Sequence, residues 1–312
     1  MLKSLKKIRT RVVSRISINL NTDFKNSIFL AGVGRSGTTW ISKVINHRNE
    51  YRYMFEPFYP NKVSICKHFR YRQYLRPENK EPKYLRTAEK ILTGQVKDYW
   101  IDSHNKRLFA KKRLIKDIRA NLLLKWIHVN FPDMPIILLL RHPCAVATSK
   151  LSLNWETHLE EFLAQEELLE DHLAPFKNEI EKARDDFEKH VFLWCIENYV
   201  PIKQFSVGKI HLAFYENYCV EPVEEIKRLF LFLNKNIDGS VFAKLRIPSK
   251  LTRKDSAIIT GDSLIDGWRK YITNEQIRRT VDILNIFGLD KIYSEESKPN
   301  IETAYKILEG KA

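Results

Sequence analysis

Short apolar runs alternate along the chain with stretches whose apolar residues recur every three or four positions, the pattern of strands and helices taking turns around a mostly parallel sheet. Five runs read as strands: Ile28 to Ala31, Arg52 to Phe55, Leu114 to Lys116, Ile136 to Leu140 and Ile210 to Phe214. Between them helical periodicity predicts Thr39 to Asn46, Ala120 to Val129, Ala145 to Leu153, a long element from about Asn178 to Phe205, and Pro222 to Leu233. On the long one Phe187, Val191, Trp194, Asn198, Tyr199 and Ile202 share a face and read as core. The expected class is therefore α/β, with a central, mostly parallel sheet of about five strands flanked by helices.

A different pattern comes first. Leu2, Leu5, Ile8, Val12, Ile16 and Leu20 recur at helical spacing among Lys3, Lys6, Lys7, Arg9, Arg11 and Arg15, with no acid in the first twenty residues. That predicts a basic amphipathic helix, docked on its own domain or lying on an anionic membrane surface. The change of pattern divides the chain into a basic N-terminal segment, 1–26, and one α/β domain, 27–312.

With 312 residues, 44% hydrophobic and 29% charged, the chain is globular; disorder, collagen and disulfide scaffolds are excluded. A net charge of +15 calls for an anionic partner. The charge is uneven. From Lys62 to Asp117 there are sixteen Lys/Arg against six Asp/Glu, interleaved with Phe69, Tyr71, Tyr74, Tyr84, Tyr99 and Trp100. This insertion between two strands is expected either to overhang a site and recognise an acceptor or to be a solvated excursion. From Glu156 to His190 twelve acids face four bases, which reads as a solvated helical face. Four widely spaced cysteines without a CxxC pair read as reduced thiols, and no apolar run is long enough to span a bilayer. A cytoplasmic location is expected.

The sharpest chemical signal is a buried strand that runs into a Gly-rich turn and then a helix. Such a turn aims backbone N–H groups and a helix N-terminus at one spot, a ready anion site. Gly32 to Thr39 has the spacing G-x-x-x-x-G-x-[ST] of a nucleotide-triphosphate loop, but Thr38 stands where its lysine is expected, and Arg35 is the loop's cation. The strand Ile136 to Leu140 ends in Arg141 rather than in a metal-binding acid. Together these point to direct arginine recognition of phosphate without a metal. Pro143 starts a helix just beyond that strand, and Ser149, a little over two turns along it, can look back toward Arg141.

The loop Gly34-Arg35-Ser36-Gly37-Thr38-Thr39-Trp40 and the segment from Arg141-His142-Pro143 through Ser149 resemble the two binding signatures of sulfotransferases that use 3′-phosphoadenosine-5′-phosphosulfate (PAPS). Phe55-Glu56-Pro57-Phe58 resembles the Glu-Pro element of the carbohydrate-type and bacterial branches. Tyr215-Glu216-Asn217 resembles their late strand and helix, and Gly267-Trp268-Arg269 their C-terminal segment. The resemblance covers about residues 27 to 293. It implies a P-loop, nucleotide-kinase-like fold in which Gly34 through Trp40 bind the 5′-phosphosulfate and Arg141 and Ser149 the 3′-phosphate. It also implies PAPS as donor, no metal, and an acceptor hydroxyl on a carbohydrate or glycolipid.

Departures refine this expectation. Arg35 stands where cytosolic small-molecule sulfotransferases have lysine, and Lys116-Asp117-Ile118 replaces their Lys-Thr-His segment and its histidine base. Their final Arg-Lys-Gly loop is not evident, and Arg253 or Lys254 stand nearest to it. Glu56 is then the candidate general base, because a hydroxyl nucleophile must lose its proton as it attacks. Arg35 would neutralise charge on the leaving phosphate and Lys116 would meet the bridging oxygen. Trp40 is expected near the loop, the adenine or the core, and His104 is the runner-up base; His47, His104 and His128 lack metal-ligand spacing. Two other readings compete: a Mg-dependent P-loop phosphotransferase, and a non-catalytic module that binds polyanions or membranes through residues 1–20 and the basic insertion.

Overall fold

The computed structural model describes residues 18–245 and 265–310. Five strands, β2 (Ser27–Gly32), β3 (Tyr51–Phe55), β5 (Lys112–Asp117), β6 (Ile136–Leu140) and β7 (His211–Phe214), form a wholly parallel sheet in the order β3-β5-β2-β6-β7. Two short strands, β1 (Ile18–Asn19) and β4 (Phe109–Ala110), pair beside it. The principal helices are α1 (Thr38–Ile45), α2 (Pro82–Leu92), α3 (Leu124–Asn130), α4 (Pro143–Leu151), α5 (Asp186–Gln204), α6 (Tyr215–Val220), α7 (Pro222–Phe232), α8 (Asn274–Ile286) and α9 (Ile301–Leu308).

Strands β2, β6 and β7 are mostly apolar because both faces of the sheet are covered, whereas β3 and β5 also bury Arg52, Arg113, Lys116 and Asp117. Alternation along each strand divides the core in two. Phe29 and Ala31 of β2, Ile136, Leu138 and Leu140 of β6, and Leu212 and Phe214 of β7 pack on the side of α2, α5 and α8. Ile28, Leu30, Ile137, Leu139 and Ala213 pack on the other side, against α1 and α7. Each of the Phe, Ile and Leu side chains contributes about 1.5–3 kcal/mol of burial, the alanines less.

The sheet order also sets where a ligand can bind. The chain leaves β2 toward β3 on one side and leaves β6 toward β7 on the other, so a crevice opens at the carboxyl ends of β2 and β6. The Gly-rich loop follows β2 and Arg141 follows β6, so both motifs border this crevice.

Three sequence expectations change. The helix expected over residues 1–20 gives way to strand at Ile18–Asn19, because the edge backbone of 108–110 offers partners: Ile18 N–H donates to the Leu108 carbonyl (2.7 Å) and Leu20 N–H to that of Ala110 (2.9 Å). Residues 1–17 lie outside the described residues, as do Arg253 and Lys254. The single long helix is two, Lys177–Glu181 and α5, because the Asp185 side chain accepts the Glu188 N–H (2.8 Å) and starts a new helix. The basic insertion is packed rather than an excursion: Phe69, Tyr74 and Tyr84 join the core.

Two buried arginines hold the amino ends of the strands. Arg52 forms a bidentate pair with Asp102 (2.9 and 2.8 Å) and donates to the carbonyls of Gly94 and Val96. Arg113 donates to Ser27 Oγ (2.7 Å), to Asn19 Oδ1 (3.0 Å) and to the carbonyls of Asn21 and Asp23, fastening residues 19–23 to the sheet.

Burial keeps three histidines neutral. His142 accepts the Cys144 N–H on Nδ1 (3.3 Å), donates from Nε2 to the Ser294 carbonyl (3.0 Å) and stacks on Trp268 at 4.5 Å. Burial lowers the pKa of His142, His190 and His211 from 6.5 to about 4. Their contribution to stability is complete above pH 6.5 and is lost as the pH falls toward 4, because the unfolded imidazoles take up protons first. Asp117, whose carboxyl is pushed up to about 6 by burial and by Glu56, acts in the opposite sense, as do Asp102, Glu216 and Glu225, which burial also raises. Between about pH 7 and about pH 5, urea denaturation should show the parent losing roughly 2 kcal/mol more stability than His211→Asn, the share of one buried neutral histidine. An equal loss in the two proteins would contradict the neutral assignment.

Candidate functional site

The turn after β2 is built from residues that tolerate its backbone. Gly37 has φ +98°, and a Cβ there would lie 2.6 Å from the Tyr215 ring; a Cβ on Gly34 would lie 2.6 Å from the Trp155 ring. Both glycines are thus required by close approach, and Gly37 by its left-handed conformation as well. Arg35, with φ +79°, takes the same strained region without being glycine, a cost of about 1–3 kcal/mol that a functional loop can carry. The loop leads directly into α1, whose first N–H groups face it.

Three segments meet at Arg35. Its Nε donates to Ser149 Oγ on α4 (2.9 Å), and its carbonyl accepts from Arg141 Nη1 (3.1 Å). The Arg141 guanidinium lies over the Tyr215 ring at 4.2 Å, and Tyr215 in turn covers Gly37. The Arg141 backbone is fixed from both sides. Its carbonyl accepts from Trp194 Nε1 (2.9 Å), and the next N–H, of His142, donates to Glu216 Oε1 (2.8 Å). Burial raises the pKa of Glu216, whose second oxygen accepts from the Tyr293 hydroxyl (2.8 Å). Ser36 Oγ and Arg141 Nε are buried beside the loop without a hydrogen-bond partner. Such groups are costly unless something binds them, and a phosphate's oxygens would.

A second cluster lies where β3 and β5 end. Glu56, 4% exposed and with φ +46°, has Lys116 Nζ on one oxygen (2.6 Å) and the Arg119 guanidinium on the other. Its own N–H donates to the Lys116 carbonyl (2.7 Å). Burial lowers the pKa of Lys116, against the pull of Glu56. Asp117 accepts the N–H groups of Phe58 (2.9 Å) and Arg119 (2.8 Å), so one carboxylate ties the Glu56 turn to the Arg119 turn. Aromatic rings extend outward from this cluster. Arg119 sits over Tyr59 at 3.8 Å, and Tyr59 neighbours Tyr71 (5.9 Å) and Trp100 (5.7 Å), which neighbours Phe55 (5.4 Å).

Arg35, Arg141 and Ser149 therefore meet, and Glu56 and Lys116 meet, all along the carboxyl edge of the sheet. A Cβ on Gly34 would lie 3.3 Å from Ile118, so the loop adjoins the turn carrying Asp117 and Arg119. Thr38 and Thr39 open α1. Trp40 is a core residue, 5% exposed, with its ring edge-on to Tyr215 at 5.4 Å. His104 is exposed and rests on Phe55 at 4.7 Å. Sequence reading missed Arg119, Trp155 and the part played by Asp117. Arg119 was signalled only as a second cation just past a strand end; Trp155 carried no signal. Among the described residues no three His, Cys, Asp or Glu are grouped to hold a metal ion.

A family model described as Sulfotransferase domain matches residues 25–285, and the chain belongs to that family. No curated protein matches it. Similar solved structures include the sulfotransferase domain from the curacin biosynthetic pathway, with 14% identity, coverage of 84% of this chain and 96% of that one, and a TM-score of 0.47. The sulfotransferase domain of the Synechococcus PCC 7002 olefin synthase has 14% identity, covers 84% and 94%, and has a TM-score of 0.47. Mouse sulfotransferase SULT7A1 complexed with PAP has 13% identity, covers 96% and 93%, and has a TM-score of 0.46.

If Gly37 is dictated by the Tyr215 contact and its own φ, Gly37→Ala should cost about 1–3 kcal/mol in urea denaturation. Gly239→Ala, where nothing lies within 4 Å of the added Cβ, should stay within about 0.5 kcal/mol of the parent. Equal effects at the two positions would remove the steric account of the loop.

Proposed function

We propose that this sulfotransferase moves a sulfuryl group from PAPS to the hydroxyl of a carbohydrate or glycolipid, with Glu56 as general base. The observation that carries the donor assignment is the meeting of Arg141, Arg35 and Ser149 around a left-handed Gly-rich turn. Gly34, Arg35, Ser36, Gly37, Thr38 and Thr39 would hold the 5′-phosphosulfate, with Trp40 supporting the loop from the core. Arg141 and Ser149 would hold the 3′-phosphate. The donor brings an activated sulfuryl group, and the chain supplies alignment and charge.

Transfer forms a bond from the acceptor oxygen to sulfur and breaks the bond from sulfur to the phosphate oxygen. Glu56 takes the hydroxyl proton as the first bond forms. Lys116, next to Glu56 near the end of β5, would donate to the bridging oxygen, and Arg35 would neutralise the charge that grows on the leaving phosphate. Arg119 holds the second Glu56 oxygen, fixing which one can turn to the acceptor. No residue of this scheme calls for a metal. The half-buried row Tyr59, Tyr71 and Trp100 offers ring faces on which a sugar can stack, and Lys62, over Trp100 at 6.0 Å, and Arg119 suit an anionic one. The four cysteines, all free thiols, support a cytoplasmic location.

Calorimetric titration with 3′-phosphoadenosine-5′-phosphate (PAP) is the test. Arg35→Ala and Arg141→Ala should each weaken binding by roughly tenfold or more, since each removes a charge-assisted contact to phosphate. Glu56→Gln should bind PAP as the parent does and lose roughly 10²- to 10⁴-fold in turnover once an acceptor is in hand. Unaltered turnover in Glu56→Gln would take the base role from it, and a preference for ATP with Mg²⁺ over PAP would favour a phosphotransferase.

A further inference from the structure

At the amino ends of the strands, β1 and β4 form a two-stranded ribbon in which Ile18 pairs with Phe109 and Asn19 with Ala110. Strand alternation turns Ile18 and Leu20 to one side and Asn19 to the other. The inner side is well tied: Asn19 donates to the Thr93 carbonyl (2.6 Å) and accepts from buried Arg113, and Ala110 is buried. The outer side presents three large apolar residues to solvent. Ile18 is 46%, Leu20 53% and Phe109 55% exposed. A ribbon braced from behind and apolar in front is not a frayed end.

The surroundings are basic. Lys106, Lys111 and Lys112 are exposed and Arg107 is half-buried, and no acid occurs between Asp102 and Asp117. The sequence entering β1 adds Lys3, Lys6, Lys7, Arg9, Arg11 and Arg15, again with no acid before Asp23. Exposed apolar side chains with lysine and arginine next to them in sequence match an anionic lipid surface in both respects: the apolar groups enter the interface while the cations meet the headgroups. An acidic protein would satisfy the charge and leave the three apolar side chains unexplained.

We infer that the face made by Ile18, Leu20, Phe109, Lys106 and Lys111 docks on an anionic lipid bilayer. Strand β5 runs from this ribbon to the Glu56 cluster, about 17 Å at the usual rise per residue, so docking leaves the donor loop open to solution on the far edge. The inference is independent of the acceptor and of the base.

Co-sedimentation with vesicles tests it. The full chain should pellet with phosphatidylcholine vesicles that contain phosphatidylserine, should stay in solution with phosphatidylcholine alone, and should be released by added salt. Leu20→Ser with Phe109→Ser, and separately Lys106→Glu with Lys111→Glu, should each lower vesicle binding roughly tenfold. Both variants should melt at the parent's temperature, which separates lost docking from lost folding. Failure of the parent to bind anionic vesicles would overturn the inference, as would undiminished binding by the charge-reversed variant.

Discussion

The hydrogen bond from Arg141 Nη1 to the Arg35 carbonyl is the constraint on which the site depends. It joins the turn after β2 to the turn after β6, and the Arg35 side chain carries the link on to Ser149 in α4. The Gly-rich turn is thereby held to Arg141 and Ser149, 106 and 114 residues further along the chain. Everything that fixes Arg141 serves this link: Trp194 on its carbonyl, Glu216 on the following N–H, and Tyr215 under its guanidinium. The turn's N–H groups, the start of α1 and the Arg141 side chain thus lie together, an arrangement suited to an anion, and a guanidinium can meet phosphate in a bidentate way that an ammonium cannot.

The second cluster follows a different logic. Glu56, Lys116 and Asp117 are buried and Arg119 is mostly so, and together their charges can cancel. Taking one partner away leaves another uncompensated in a poorly solvated place, which costs about 3–5 kcal/mol. In the proposed reaction, an arriving hydroxyl would compete with Lys116 or Arg119 for one Glu56 oxygen. The left-handed backbone at Glu56 is the local cost of aiming that carboxylate at the edge where the donor loop also opens.

Much of this was legible in the sequence for identifiable reasons. The strands β2, β6 and β7 were readable as mostly apolar runs covered on both faces, β3 and β5 as short apolar stretches bordered by charges, and the Gly-rich loop because close approach at Gly34 and Gly37 leaves no room for a Cβ. Arg141 was readable as a charge where a metal ligand was expected. What escaped was what depends on long-range packing. The helix expected across Ile18–Asn19 yields to a strand because 108–110 offers an edge ninety residues away, which no local periodicity records. Arg119 and Asp117 act through contacts with a turn sixty residues earlier, and Trp155 reaches Gly34 from beyond α4. The basic insertion read as a solvated overhang or an acceptor wall; its Phe69, Tyr74 and Tyr84 are core, while Tyr71 and Trp100 stay half-exposed beside Glu56.

The most direct measurement compares, in EDTA, the affinity of the protein for PAP with its affinity for adenosine 5′-phosphate, which lacks only the 3′-phosphate. Arg141 and Ser149 acting on that group predict a loss of roughly a hundredfold or more when it is removed, the worth of two charge-assisted hydrogen bonds. Equal affinities, or PAP binding that disappears in EDTA, would contradict metal-free recognition of the donor by the two arginines.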